Sequence, residues 1–133
     1  MPLIQITLGG QPASPEAIQQ LQQETTRLMA SILQKEAALT VVSVSQLPAG
    51  AFSANGQPVY SGASLQAMIT AGTNSEADKA AFIFAAKCML TVAIGETAAP
   101  IYIALLELPA GNWGYDGKTQ AARKAERPTG GAA

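Results

Sequence analysis

The chain has 133 residues, 48% of them hydrophobic, which is enough for one domain with a core of its own. Charged residues make up 13%, about half the usual share for a soluble domain, so much of the surface is expected to lie inside an oligomer. A formal net charge of −1 gives no field to draw nucleic acid or an acidic membrane, and the absence of histidine removes the commonest general base and the Ser-His-Asp triad.

Pro2 leads straight into Leu3 to Leu8, which reads as a strand of the buried kind. Ser14-Pro15-Glu16 looks like a helix start, with Ser14 as N-cap and Pro15 at the first helical position, where its missing N–H costs nothing. The helix should run to about Gln34, because Ile18, Leu21, Thr25, Leu28, Met29 and Ile32 recur at spacings of three and four. Thr40 to Ser45 reads as a second strand, followed by a Gly-rich stretch and a brief extra strand over Pro58 to Ser61. Leu65 to Gly72 is a third strand. Ser75 caps a second helix, with Asp78 completing a capping box, and the helix should reach about Val92 with Ala81, Phe82, Ala85, Cys88, Met89 and Val92 on its apolar face. Cys88, the single cysteine, is expected there as a small buried hydrophobe. Pro100 to Leu106 is a fourth strand, Ala121 to Arg127 a short helix, and Pro128 to Ala133 a flexible tail.

The chain repeats itself. Val41 to Gln57 (VVSVSQLPAGAFSANGQ) and Tyr102 to Lys118 (YIALLELPAGNWGYDGK) align without a gap at an offset of 61, and Leu47-Pro48-Ala49-Gly50 recurs as Leu108-Pro109-Ala110-Gly111. Ser14 and Ser75 share that offset, whereas Leu3 to Gly10 parallels Leu65 to Gly72 at an offset of 62. Two copies of one β-α-β unit follow, repeat one over about 2–60 and repeat two over about 64–118, with a C-terminal tail over 119–133. Right-handed crossovers then give an α+β domain with a four-stranded mixed sheet and two helices on one face. Strands this apolar need cover on the other face, and self-association supplies it.

One cysteine excludes an internal disulfide and fits the cytoplasm. No secretory leader and no apolar run approaching the ~20 residues of a membrane span are expected. Removal of Met1 before a small residue would leave Pro2 as the N-terminus, a secondary amine able to act as base once deprotonated. An α-amino group titrates near ~7.7–8.0, and an apolar pocket or a nearby cation lowers that value.

Pro2, the strand behind it, the helix from Ser14 and the doubled Gly-rich segments resemble the tautomerase superfamily, whose subunits are one short β-α-β unit or two fused units that form trimers. The short members carry a strand followed by E-M-A-K-G-H-F-G-I-G-G, and Glu107-Leu108-Pro109-Ala110-Gly111-Asn112-Trp113-Gly114-Tyr115-Asp116-Gly117 is similar. The resemblance covers Pro2 to about Lys118. It implies a homotrimer with Pro2 as the catalytic proline and no metal or organic cofactor. Lys35, eight residues before Ser43, matches the substrate-facing lysine of the migration inhibitory factor type. Ile101-Tyr102-Ile103-Ala104 is similar to that type's V-Y-I-N, so Tyr102 matches its pocket tyrosine and Ala104 replaces its asparagine. Trp113 matches the aromatic that closes the pocket, Tyr115 a second aromatic, and Phe52 adds to an apolar wall.

The superfamily's decarboxylase carries S-R-P-R-S-E-E where this chain has Thr70-Ala71-Gly72-Thr73-Asn74-Ser75-Glu76. Ala71 and Thr73 stand at its arginine positions, so bidentate clamping of a carboxylate is lost there. The resemblance therefore implies a keto–enol (1,3-) tautomerase acting on small α-keto acids or arylpyruvates. A hydratase, dehalogenase or decarboxylase of the same superfamily, or a non-catalytic trimeric interaction protein, is the alternative.

Overall fold

The computed structural model describes residues 2–127. The long elements are β1 (Leu3–Gly10), α1 (Pro15–Leu33), β2 (Val41–Gln46), β5 (Ser61–Thr70), α2 (Glu76–Ile94) and β6 (Tyr102–Leu108). Two short hairpins, β3 (Ser53–Ala54) with β4 (Gln57–Pro58) and β7 (Gly114–Tyr115) with β8 (Lys118–Thr119), follow the second strand of each repeat, and α3 (Gln120–Glu126) closes the described chain. Sheet order is β2-β1-β5-β6. β1 runs parallel to β2 and β5 parallel to β6, while β1 and β5 meet antiparallel at the centre.

Helix ends are set locally. Ser14 Oγ accepts the Ala17 N–H at 3.1 Å, and Pro15 opens α1. At α2 the box is reciprocal: Asp78 N–H donates to Ser75 Oγ at 3.1 Å, and Ser75 N–H to Asp78 Oδ2 at 3.4 Å. Such a cap is worth about 1 kcal/mol. Leu21, Leu28, Met29 and Leu33 of α1 and Phe82, Ala86 and Leu90 of α2 pack onto Ile4, Ile6 and Leu8 of β1 and Leu65, Ala67 and Ile69 of β5. All four strands thus turn one face to the helices.

The repeat is tighter than the sequence suggests. Leu3 pairs with Val41, and Ser64 pairs with Tyr102, so β1 and β5 correspond at an offset of 61 and not 62. At this register Ile4 matches Leu65, Gln5 matches Gln66, and Pro2 matches Ala63, with the same alternation of burial. The sequence alignment was one residue out because apolar residues dominate both strands. Pairing fixes it, since a one-residue slip would send every core side chain to the open face.

Cys88 departs from expectation: it is exposed, and Val92, placed on the apolar face, is 87% exposed. α2 is apolar all round, so periodicity could not choose its inner side. Phe84 and Ile83 lie outside with them. The brief strand expected over Pro58 to Ser61 is divided between β4 and β5. The short C-terminal helix begins one residue early, at Gln120, and Thr119 belongs to β8, so part of the expected tail is structured. Met1 and the tail over Pro128 to Ala133 lie outside the described residues.

The sheet face away from the helices carries Gln5, Ser43, Gln66, Ala104 and Leu106 and no charged side chain. Val41, Tyr102 and Leu106 stand exposed on it. No described helix is long and apolar enough to cross a membrane.

Candidate active site

Pro2 is buried at the start of β1, and its carbonyl accepts the Val41 N–H at 3.2 Å. Because β1 and β5 are antiparallel, the start of β1 lies beside the end of β5, near Thr70. β6 ends at the same edge, and the β7–β8 hairpin that follows it folds back there. The result is a cleft of about 370 Å³, bordered by Pro2, Leu39, Val41, Trp113, Tyr115 and Gln120. Pro2, Trp113 and Tyr115, singled out from the sequence, therefore meet in one place.

The hairpin is held in its turn by Asp116 and Gly117, both left-handed at φ 50° and 85°. Asn55 and Gly56 do the same in β3–β4, at φ 51° and 74°. An Asn-Gly or Asp-Gly pair is the strongest local hairpin signal, and it is the signal from which both hairpins could have been found in the sequence.

Each aromatic wall of the cleft is tied to a cation. The Arg123 guanidinium lies 3.8 Å over the Tyr115 ring and donates to the Tyr115 carbonyl at 2.9 Å. Trp113 donates its indole N–H to Thr70 Oγ1 at 3.2 Å. Thr73 Oγ1 donates to the Thr70 carbonyl at 2.7 Å and accepts from Lys35 Nζ at 2.8 Å. Lys35 itself is 3% exposed and is not among the residues that border the cleft. Burial holds its amine below the usual lysine value, against the opposing pull of Glu107. Glu107 is also the ion-pair partner of Lys79, at 2.9 Å.

Tyr102 and Phe52 lie elsewhere. Both border a cavity of about 540 Å³ at the opposite end of the sheet, beside Ala63. It is the internal-repeat image of the Pro2 cleft: Ala63 stands for Pro2, Phe52 for Trp113 and Asn55 for Asp116. The Phe52 ring rests on two glycines, since a Cβ at Gly9 would lie 2.2 Å from Phe52 Cβ and one at Gly62 2.7 Å from its ring. Ala63 sits inside the chain with its nitrogen in a peptide bond, so this image carries no amine.

Solved structures with this arrangement include fused 4-OT trimers and a macrophage migration inhibitory factor-like protein. Pt0534, inactivated by 2-oxo-3-pentynoate, aligns with a TM-score of 0.82 at 22% identity, over 91% of this chain and 98% of its own. The Q0 fused 4-OT, a symmetric trimer, gives a TM-score of 0.81 at 19% identity, over 94% and 99%. A macrophage migration inhibitory factor-like protein from Entamoeba histolytica gives 0.75 at 19% identity, over 89% and 97%. The chain has the tautomerase-superfamily fold. No family model matches the sequence, and no curated protein does.

On the tautomerase fold, the loop over 71–75 joins β5 to α2. Thr73, at an arginine position of the decarboxylase motif, is taken up by Lys35 and the Thr70 carbonyl. Ala71 donates its N–H to the Leu108 carbonyl at 2.9 Å and brings no charge. Among the described residues no cluster of Cys, Asp or Glu could hold a metal ion. Gln120, Thr70 and Thr73 carry no sequence signal of their own. Their roles exist only because β5, β7 and α3 converge at the start of β1.

Proposed function

We propose that this protein is a cofactor-independent keto–enol tautomerase of small α-keto acids or arylpyruvates, with Pro2 as its general base. The observation that carries this is a buried proline at the head of the chain, bordering a cleft walled by Trp113 and Tyr115. Freed of Met1, its nitrogen is a secondary amine in an apolar setting that favours the neutral, basic form. It takes the proton from the enol hydroxyl, or from the carbon next to the carbonyl, and returns it to the other position. It must come within hydrogen-bond reach of that proton. Trp113 and Tyr115 flank the substrate's apolar end. Lys35, three hydrogen bonds from Trp113 by way of Thr73 and Thr70, supplies a fixed positive charge that favours substrate carboxylate and the neutral amine. The inactivation of Pt0534 by a 2-oxo acid supports this substrate class.

The working unit in this reading is a homotrimer. Its support is the charge-free open sheet face and the trimeric Q0 fused 4-OT. Cyclic trimers join unlike faces of neighbouring subunits. This would bring Tyr102, 74% exposed at the far end of its own sheet, to the Pro2 cleft of the next subunit. There its hydroxyl would stabilise an oxyanion. The reading gives no role to a membrane or nucleic acid and places the protein in the cytoplasm.

The test is ketonisation of enol-phenylpyruvate by wild type and Pro2→Ala, read beside the intact mass of the purified chain. General acid–base catalysis contributes about 10²–10⁴-fold, so Pro2→Ala should lose at least ~10-fold while keeping its oligomeric state. Unchanged activity removes Pro2 as the base. A retained Met1 in the active protein does the same, because the proline nitrogen is then an amide.

A further inference from the structure

Gln120 is 1% exposed, borders the Pro2 cleft, and among the described residues has no hydrogen-bond partner for either Nε2 or Oε1. A shut-in carboxamide with both ends unpaired is costly in a native protein and calls for an explanation. The other repeat shows that the fold does not require one there. Gln120 N–H donates to the Trp113 carbonyl at 2.9 Å, and Val59 N–H donates to the Phe52 carbonyl at 3.1 Å, so Val59 holds the same place in repeat one. Valine fills that place without any polar group. Val59 Cγ2 also lies 3.1 Å from a Cβ built on Gly62, the residue before Ala63. The place of Gln120 is thus on the nitrogen side of Pro2.

We propose, building on the tautomerase reading above, that Gln120 is the residue that recognises the oxygen pair of the substrate's enol. The enol of a 2-oxo acid shows a hydroxyl donor at C2 next to a carboxylate acceptor at C1. A carboxamide offers the complementary pair: Oε1 accepts from the hydroxyl and Nε2 donates to the carboxylate. A turn of the soft terminal torsion brings the amide to the ligand. The ketone lacks the C2 donor and leaves Oε1 unpaired, so the contact favours the enol. Being neutral, Gln120 does this without adding charge beside the Pro2 amine. Arg123, three residues on and on the same side of α3, holds Tyr115 and so fixes the wall opposite.

The test uses two stable ligands, 3-phenyllactate, which carries the C2 hydroxyl, and 3-phenylpropionate, which does not. Affinities are measured by calorimetry on wild type and on Gln120→Met. Wild type should prefer phenyllactate by about 5- to 100-fold, the range set by satisfying or stranding a buried polar group. Gln120→Met should bind the two alike, and its unliganded melting temperature should equal or exceed that of wild type. Gln120→Val, which copies the residue of the other repeat, gives the same reading should the methionine not fold. Equal binding of both ligands by wild type overturns the role of Gln120 and leaves Pro2 catalysis standing. A lower melting temperature in the variant, with loss of the oligomer, also overturns it, since the amide is then paired across a subunit contact. Failure of wild type to bind either ligand overturns this role and the arylpyruvate reading together.

Discussion

The indole N–H of Trp113 is bonded to Thr70 Oγ1 at 3.2 Å, joining the hairpin that walls the cleft to the strand that ends beneath Pro2. Its repeat image, Phe52, has no such bond and rests instead on Gly9, the residue that corresponds to Thr70. The Pro2 end of the sheet is therefore pinned by a hydrogen bond where the other end is pinned by close packing. Thr70→Val removes the acceptor and keeps the shape. A neutral hydrogen bond contributes about 1 kcal/mol, so the fold should survive while the indole loses its anchor. Tryptophan fluorescence should shift and broaden, and kcat/KM for enol-phenylpyruvate should fall severalfold. Unchanged fluorescence and kinetics would mean that packing alone sets the indole.

Lys35 makes two predictions with defined signs. Its removal takes away a cation from the region of Pro2, so the Pro2 amine holds its proton more tightly. With the neutral amine as the base of the proposed reaction, the ascending limb of the pH–rate profile of Lys35→Met should move to higher pH. KM for carboxylate substrates should also rise. A profile that does not move places Lys35 outside the reach of Pro2.

The second concerns stability. Burial lowers the folded-state pKa of Lys35, so between that value and the unfolded ~10.4 the unfolded chain binds more protons. The contribution of Lys35 to stability therefore rises as pH climbs through that window, and its cost is fully present below it. Denaturant midpoints of wild type and Lys35→Met, compared at increasing alkaline pH, should move in favour of wild type. A constant difference would remove the buried charge as the cause.

The uncharged open sheet face predicts an oligomer that a charge will break. Ala104→Arg puts a cation at the middle of β6 on that face. Light scattering should show a homotrimer for wild type and smaller species for the variant, with helical circular dichroism kept. A stable wild-type monomer at micromolar concentration would refute the trimer.

Dehalogenation of 3-chloroacrylates and decarboxylation of malonate semialdehyde should be weak beside enol ketonisation. Ala71 carries no charge, and the hydroxyl of Thr73 is already engaged by Lys35 and the Thr70 carbonyl. Comparable rates with these acids would show that Arg123, on the wall behind Tyr115, does the work of the missing arginines.

The sequence alone determined the doubled β-α-β plan, because the caps and the Leu-Pro-Ala-Gly copies are local signals that recur at an offset of 61, with strand runs on either side of each helix. Ser14, Ser75 and Pro15 mark the helix starts by hydrogen-bond chemistry that needs no distant partner. Pro2 was legible as a candidate base, and Trp113 and Tyr115 as candidate pocket aromatics from their motif; that the three border one cleft is what the fold adds.

The tertiary structure decided what depends on pairing and on which side faces in. Strand register corrected the offset of β5, since two apolar strands fit each other at several alignments in sequence but at only one with the core inside. The inner face of α2 was settled by packing, since a helix apolar all round offers no stripe to read, and Cys88 went outward. Lys35 turned out to reach Thr73 and to lie off the border of the Pro2 cleft, while Tyr102 and Phe52 sit at the far end of the sheet. Gln120 entered the site only because α3 folds back over the start of β1. Long-range contacts of this kind follow from the way two repeats close around one sheet, and no short stretch of the chain encodes them.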